Sequence, residues 1–157
     1  MSILQAGARA PEFTLPTAPR EHASLSDYLG RPVVLVFYPA DWSPVCGDQL
    51  ALYNELGKEF ARFDAVLLPI SVDGSWCHAA FGTARRYTFP LLSDFEPKGR
   101  VARLYGAYDE ASGTAQRALF VVDRHGVIAW SDLSPDAVNP GADGILSALE
   151  ALPGSSS

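Results

Sequence analysis

Cysteine is scarce in this chain, with only Cys46 and Cys77 among 157 residues. The two stand far apart, with no CxxC pair and no clustered histidines, so neither a zinc site nor a dithiol-exchange motif can be read from them. Long apolar runs are also missing. The longest uninterrupted one, Val33 to Tyr38, is far too short to cross a bilayer. Met1 to Ala10 has no basic stretch followed by an apolar core, so no secretory leader is expected and the cytoplasm is the expected location. There, two cysteines are expected to be redox-active or simply buried, not a structural staple. Positive charge is in deficit as well. A formal net charge of −6 argues against general attraction to nucleic acid or to an anionic membrane.

What the chain does contain is a foldable composition: 48% hydrophobic and 19% charged residues, punctuated by 13 glycines and 12 prolines. Its length suits one domain spanning residues 1–157, and no internal repeat is visible. A short strand is expected at Glu12–Leu15 and a helical turn at Ser24–Leu29. Pro32 to Tyr38 reads as a central strand buried on both faces. The loop from Pro39 to Val45 leads to a helix marked by Leu52, Leu56 and Phe60, with Tyr53 beside them. Ala65–Ser71 is the next buried strand, where Pro69 suggests a strand end or an edge.

Trp76, Cys77, Ala80, Phe81 and Ala84 form an apolar helical stripe. Pro90–Ser93 is a short strand and Lys98–Tyr105 a short helix. Ala118–Asp123 and Val127–Ser131, joined by Arg124-His125-Gly126, make a β-hairpin. His22 and His125 read as loop residues, and Trp130 belongs to the hairpin. Asn139 is expected to cap the last helix, with Pro140 in its first turn. Ile145, Leu146, Leu149 and Leu152 give that helix its apolar face, and Gly154–Ser157 is a frayed tail. A βαβ half followed by a hairpin and a helix resembles the thioredoxin layout. The expected fold is therefore α/β, with a central mixed sheet flanked by helices and an N-terminal extension.

The chemically informative stretch is Tyr38-Pro39-Ala40-Asp41-Trp42-Ser43-Pro44-Val45-Cys46. It places a cysteine past a buried strand, at the carboxyl edge of the sheet and the start of a helix, where open α/β sheets bind ligands. Free N–H groups and the partial positive charge of a helix N-terminus favour thiolate over thiol. From a reference pKa of about 8.5, a downward shift of two units would raise the thiolate share at neutral pH roughly thirtyfold.

Pro39, Ser43 and Cys46 match the pattern P-x-x-x-T/S-x-x-C, and Arg117-Ala-Leu-Phe120-Val-Val-Asp123 places an arginine at the opening of a later strand. In these two signatures the chain resembles the peroxiredoxins. The likeness extends through Ser71-Val72-Asp73, Phe89-Pro90-Leu91-Leu92-Ser93-Asp94 and Tyr105-Gly106. It implies that Cys46 attacks a hydroperoxide and becomes a sulfenic acid. Ser43 would hydrogen-bond the peroxide, Pro39 would shield the site, and Arg117 would hold the thiolate. No metal or organic cofactor is implied.

The resemblance also implies recycling by thioredoxin or a similar dithiol and pairing as a homodimer. Two departures stand out. Many relatives carry an acidic residue three positions after the cysteine, where this chain has Gln49, an acceptor without charge. Ser43 occupies a position more often filled by threonine.

Each residue also has a plainer reading. Cys46 could merely pack, Ser43 could only cap a helix, Pro39 could only shape a loop, and Arg117 could be a surface partner for Asp123 or another carboxylate. Cys77 is either the thiol that condenses with oxidised Cys46 or a small core residue. His78 suits packing or a dimer contact better than a general base, and Trp42 lines the entrance or an interface. Two other functions compete with peroxidase. One is a thiol–disulfide oxidoreductase, disfavoured by the missing CxxC; the other is a redox-sensing or chaperone-like binding module.

Overall fold

Residues 2–153 are described by a computed structural model of the chain. The tail Gly154–Ser157, expected to fray, lies outside the described residues. The first strands are β1 (Thr14–Ala18) and β2 (Glu21–Ser24), paired antiparallel. The first strand thus starts later than Glu12, and His22 lies in a strand instead of a loop. A 3-10 turn at Leu25–Tyr28 follows, inside the expected Ser24–Leu29 turn.

The remaining strands are β3 (Val33–Phe37), β4 (Val66–Ser71), β5 (Leu92–Ser93), β6 (Tyr108–Asp109), β7 (Thr114–Ala115), β8 (Arg117–Val122) and β9 (Ile128–Ser134). Among the described residues, β5-β4-β3-β8-β9 form the central sheet in that order. β3, β4 and β5 run parallel, and β8 and β9 are antiparallel additions. β6 and β7 form a separate small ribbon. This mixed sheet with helices on both faces is the thioredoxin-like arrangement expected from the sequence.

β3 has the apolar, β-branched sequence of a strand covered on both sides, and all five of its residues are fully buried. Val33, Leu35 and Phe37 pack on one face with Leu68, Ile70, Tyr105 and Phe120. Val34 and Val36 pack on the other with Cys46, Leu50, Phe81 and Leu149. Pro69 lies inside β4, not at its end. Val66 N–H and Ile70 O bond toward β3, so the N–H that Pro69 lacks would point the other way. On that side β5 pairs only with Ile70 and Ser71, which makes the position edge-like and tolerant of proline.

The helices depart from the sequence pattern in three places. The expected continuous helix through Phe60 is two helices, α1 (Pro44–Glu55) and α2 (Gly57–Arg62), broken at Leu56. Gly57, a poor helix former, follows the break, and Phe60 still turns into the core. In α3 (Ser75–Arg85) the expected apolar stripe faces inward only at Phe81, with Cys77 half-buried. His78 and Phe81 are its buried residues, while Trp76 is 77% exposed and Ala80 and Ala84 are exposed as well.

The third departure is in α5 (Asp143–Ala151), which begins after Ala142, so Asn139 does not cap it. Asn139 Oδ1 instead accepts the Gly141 N–H at 2.9 Å. Gly141, at φ 69°, turns the chain once more before the helix can start. Of the expected apolar face, Ile145 and Leu149 are buried on α5, Leu146 is half-buried against the same core, and Leu152 is buried just past the helix end. α4 (Arg100–Leu104) is shorter than the expected segment; its first N–H groups, from Val101 and Ala102, bond the buried Asp94 carboxylate.

Candidate active site

The carboxyl end of β3 feeds directly into the loop Tyr38–Ser43 and then into α1. Ser43 is the N-cap residue, in an extended conformation, and Pro44 takes the first helical position, where a missing N–H costs nothing. Cys46 therefore lies in the first turn, whose N–H groups have no acceptor within the helix. The Ser43 hydroxyl makes no capping hydrogen bond, so it is not committed to the helix. Pro39 is half-buried. Trp42 adopts φ 68°, unusual for a bulky residue. Its ring is 49% exposed and sits 5.0 Å from that of Phe81.

Arg117 opens β8, and the antiparallel pairing of Phe37 with Ala118 brings it to the end of β3, next to the cysteine loop. Both Cys46 and Arg117 are buried. Nη1 of Arg117 donates to Cys46 Sγ at 3.3 Å and to Gln49 Oε1 at 2.8 Å. Nε and Nη2 donate to the backbone carbonyl of Asp136 at 3.2 and 2.6 Å. Asp123, the plainer partner considered for Arg117, instead accepts the His125 and Val127 N–H groups in the hairpin turn.

Gln49 in turn donates through Nε2 to the Tyr53 hydroxyl at 3.0 Å, and Tyr53 donates to the Gly141 carbonyl at 2.8 Å. Tyr53, Gly141 and Asp136 are site components that the sequence reading does not single out. Tyr53 had a usable signal, since it falls four residues after Gln49 on the same helix. The two carbonyls had none, because any residue supplies one.

A second buried network braces the loop from behind. The Tyr38 hydroxyl donates to Asp41 Oδ1 at 2.6 Å, and Asp41 Oδ2 faces His78 Nδ1 at 2.7 Å. His78 Nε2 faces the Leu92 carbonyl at 3.0 Å. Both ring nitrogens thus meet oxygens, and Nε2, facing a carbonyl that can only accept, is the one that donates there. The Asp41 backbone N–H donates to Asp73 Oδ2 at 2.8 Å, which also accepts from the Ser71 hydroxyl. His78 has no contact of this kind with Cys46.

Cys77 does not join the Cys46–Arg117 cluster. Its thiol lies with the Asp41 and Asp73 carboxylates, all within 4.8 Å of one another. Burial, followed by the Asp41 carboxylate, pushes it up to about 11. Those carboxylates are already engaged by Tyr38, His78, Ser71 and the Asp41 N–H, so the trio is a hydrogen-bonded knot and not an open ligand set. Cys46 and Cys77 are both free thiols. Among the described residues, no helix is long and apolar enough to cross a membrane.

The chain matches the AhpC/TSA family over residues 6–131. It is 39% identical over 132 residues to the alkyl hydroperoxide reductase E of Mycobacterium tuberculosis, covering 83% of this chain and 86% of that protein. It is 31% identical over 154 residues to peroxiredoxin 2 of Thermoplasma acidophilum, covering 93% of this chain and 75% of the relative. Among solved structures, the peroxidoxin BcpB of M. tuberculosis superposes with a TM-score of 0.86 at 32% identity, covering 95% of this chain and 98% of that one. Enterococcus faecalis AhpC superposes with a TM-score of 0.85 at 28% identity, covering 94% and 91%.

Proposed function

The chain belongs to the AhpC/TSA family and is a peroxiredoxin-type peroxidase; from that premise we propose that Cys46 is the residue that reacts with hydroperoxide. The observation that carries this reading is the 3.3 Å contact between the buried Arg117 guanidinium and Cys46 Sγ.

The thiolate attacks the terminal oxygen of R–O–OH, and an S–O bond forms as the O–O bond breaks. Sulfur loses two electrons and the departing RO⁻ gains them, then takes a proton to leave as ROH. Negative charge moves from sulfur to the leaving oxygen, and a fixed cation with directed donors lowers the energy of that shift. Arg117 supplies the cation. The uncommitted Ser43 hydroxyl holds the peroxide, and Pro39 keeps water from the sulfur. Cys46 is fully buried, so peroxide reaches it only when the neighbouring side chains part, with Trp42 at the entrance.

The substrates are hydrogen peroxide and small organic hydroperoxides. The sulfenic acid condenses with a thiol, releasing water, and the resulting disulfide is reduced by thioredoxin or a similar dithiol. Cys77 is the candidate internal thiol. It stays protonated while Asp41 remains beside it, so an internal disulfide requires the 39–43 loop to withdraw. The protein works in the cytoplasm as a homodimer, with residues 1–157 as one unit.

The test is addition of one equivalent of peroxide to wild type, Cys46→Ser and Cys77→Ser, followed by mass spectrometry and a peroxide assay. Cys46→Ser should keep its fold and consume no peroxide; retained turnover would defeat the assignment. Loss of a Cys46–Cys77 disulfide in Cys77→Ser, with sulfenic acid accumulating on Cys46, identifies Cys77 as the resolving thiol. Sulfenic acid without any disulfide in the wild type assigns resolution to an external thiol.

A further inference from the structure

The Arg117 guanidinium is 1% exposed, and a cation so enclosed needs a counter-charge nearby. Its fixed partners do not provide one. Gln49 Oε1 and the Asp136 carbonyl are neutral. Among the described residues, no carboxylate lies within ion-pair distance of Arg117. The one remaining contact is Cys46 Sγ.

The neutrality at position 49 is dictated from the far end of the hydrogen-bond chain. The Gly141 carbonyl can only accept, so the single hydroxyl proton of Tyr53 points to it. The hydroxyl lone pair is left facing residue 49 and needs a donor. An amide fits, because Nε2 supplies the donor while Oε1 turns to Arg117. A carboxylate there would set oxygen against oxygen at Tyr53, or else take the proton and strand the Gly141 carbonyl. Burial pushes Tyr53 up to about 12, so this proton stays in place at any working pH.

We propose that the neutral Gln49, selected by its hydrogen bond to Tyr53, keeps Arg117 free of any carboxylate and makes the Cys46 thiolate its sole counter-ion. The inference rests on the assignment of Cys46 as the reacting sulfur, but it concerns the ionisation of that sulfur, which is measurable without peroxide. Other ionisable groups border the site. The Tyr87 hydroxyl donates to Gly47 O at 3.3 Å, the Arg85 guanidinium lies against Gly47, and Asp132 faces Tyr53. None of them touches the guanidinium of Arg117.

The test is peptide-resolved iodoacetamide labelling of Cys46 against pH in wild type, Gln49→Glu and Gln49→Met, each checked for folding by circular dichroism. In Gln49→Glu the carboxylate competes with sulfur for Arg117. The labelling midpoint should rise by about one pH unit or more, a roughly tenfold loss of thiolate on the acid side. Gln49→Met, neutral and of similar length, should stay within about half a unit of wild type.

A Gln49→Glu midpoint equal to wild type overturns the proposal. So does a Gln49→Met midpoint that rises as far as that of Gln49→Glu, since the lost amide and not the added charge would then be responsible. If Gln49→Glu does not fold, Gln49→Glu combined with Tyr53→Phe takes its place, since losing the hydroxyl removes the oxygen that would face the carboxylate. The midpoint should rise by the same unit or more, and a profile equal to that of Tyr53→Phe alone overturns the proposal. A protein that labels as expected yet ignores peroxide would leave this inference standing and refute the peroxidase role of Cys46 instead.

Discussion

At the scale of single residues, the site depends on one guanidinium making four directed contacts at once. Nη1 reaches sulfur and an amide oxygen, while Nε and Nη2 fork onto one carbonyl. A planar group with donors on three nitrogens can do this, and an ammonium cannot. Arg117→Lys should therefore keep a positive charge but lose its aim, slowing oxidation of Cys46 about tenfold. Arg117→Met removes charge and donors together and should slow it by about 10². It also leaves the Asp136 carbonyl unpaired, costing about 1–3 kcal/mol of stability. Stopped-flow tryptophan fluorescence after peroxide mixing reads the rates, with Trp42 in the loop that leads into the helix of Cys46. Equal rates in wild type and Arg117→Met would remove the guanidinium from the mechanism.

At the scale of elements, the loop after β3 is held by α3 through side chains that an apolar pattern cannot reveal. Alternation and runs of branched residues located β3, β4 and the β8–β9 hairpin, because those strands are buried for the reason the pattern encodes. The pattern failed on α3. Of its apolar stripe only Phe81 is fully buried, and the other buried residue is His78, enclosed because both ring nitrogens find oxygens. Asn139 misled in a similar way: a residue type that caps helices also serves tight turns, and here the turn at Gly141 took it. The Asp41–His78 contact joins loop to helix with both side chains nearly inaccessible. His78→Leu would leave the Asp41 carboxylate buried with Tyr38 and the Cys77 thiol as its remaining side-chain partners. We expect a loss of about 3 kcal/mol in urea unfolding, together with faster labelling of Cys46 as the loop loosens. A change under about 0.5 kcal/mol, typical of a surface substitution, would mean the clamp contributes nothing.

At the scale of the whole molecule, Cys46 and Arg117 were legible as a pair because two short signatures named them. Their meeting depends on topology, since β8 lies antiparallel beside β3 and delivers its first residue to the strand's end. The same packing buries three tyrosines with effects on stability that composition does not announce. Tyr38, Tyr53 and Tyr105 are at most 1% exposed. Burial raises all three, reinforced by Asp41 at Tyr38 and by Glu12 at Tyr105, and Tyr53 reaches about 12. Below about pH 10 the folded and unfolded chains both hold these protons, so the tyrosines add no pH dependence. Above it the unfolded chain releases them first, and each tyrosine should remove about 1.4 kcal/mol of stability per pH unit until its folded pKa is reached. Urea midpoints should therefore fall steeply between about pH 10 and pH 12. Tyr105→Phe, which also gives up the hydrogen bond to the Pro11 carbonyl, should start lower in stability and fall by one tyrosine's share less. A midpoint flat across that interval, or an unchanged slope in Tyr105→Phe, would show that these hydroxyls ionise as readily in the folded protein as in the unfolded chain.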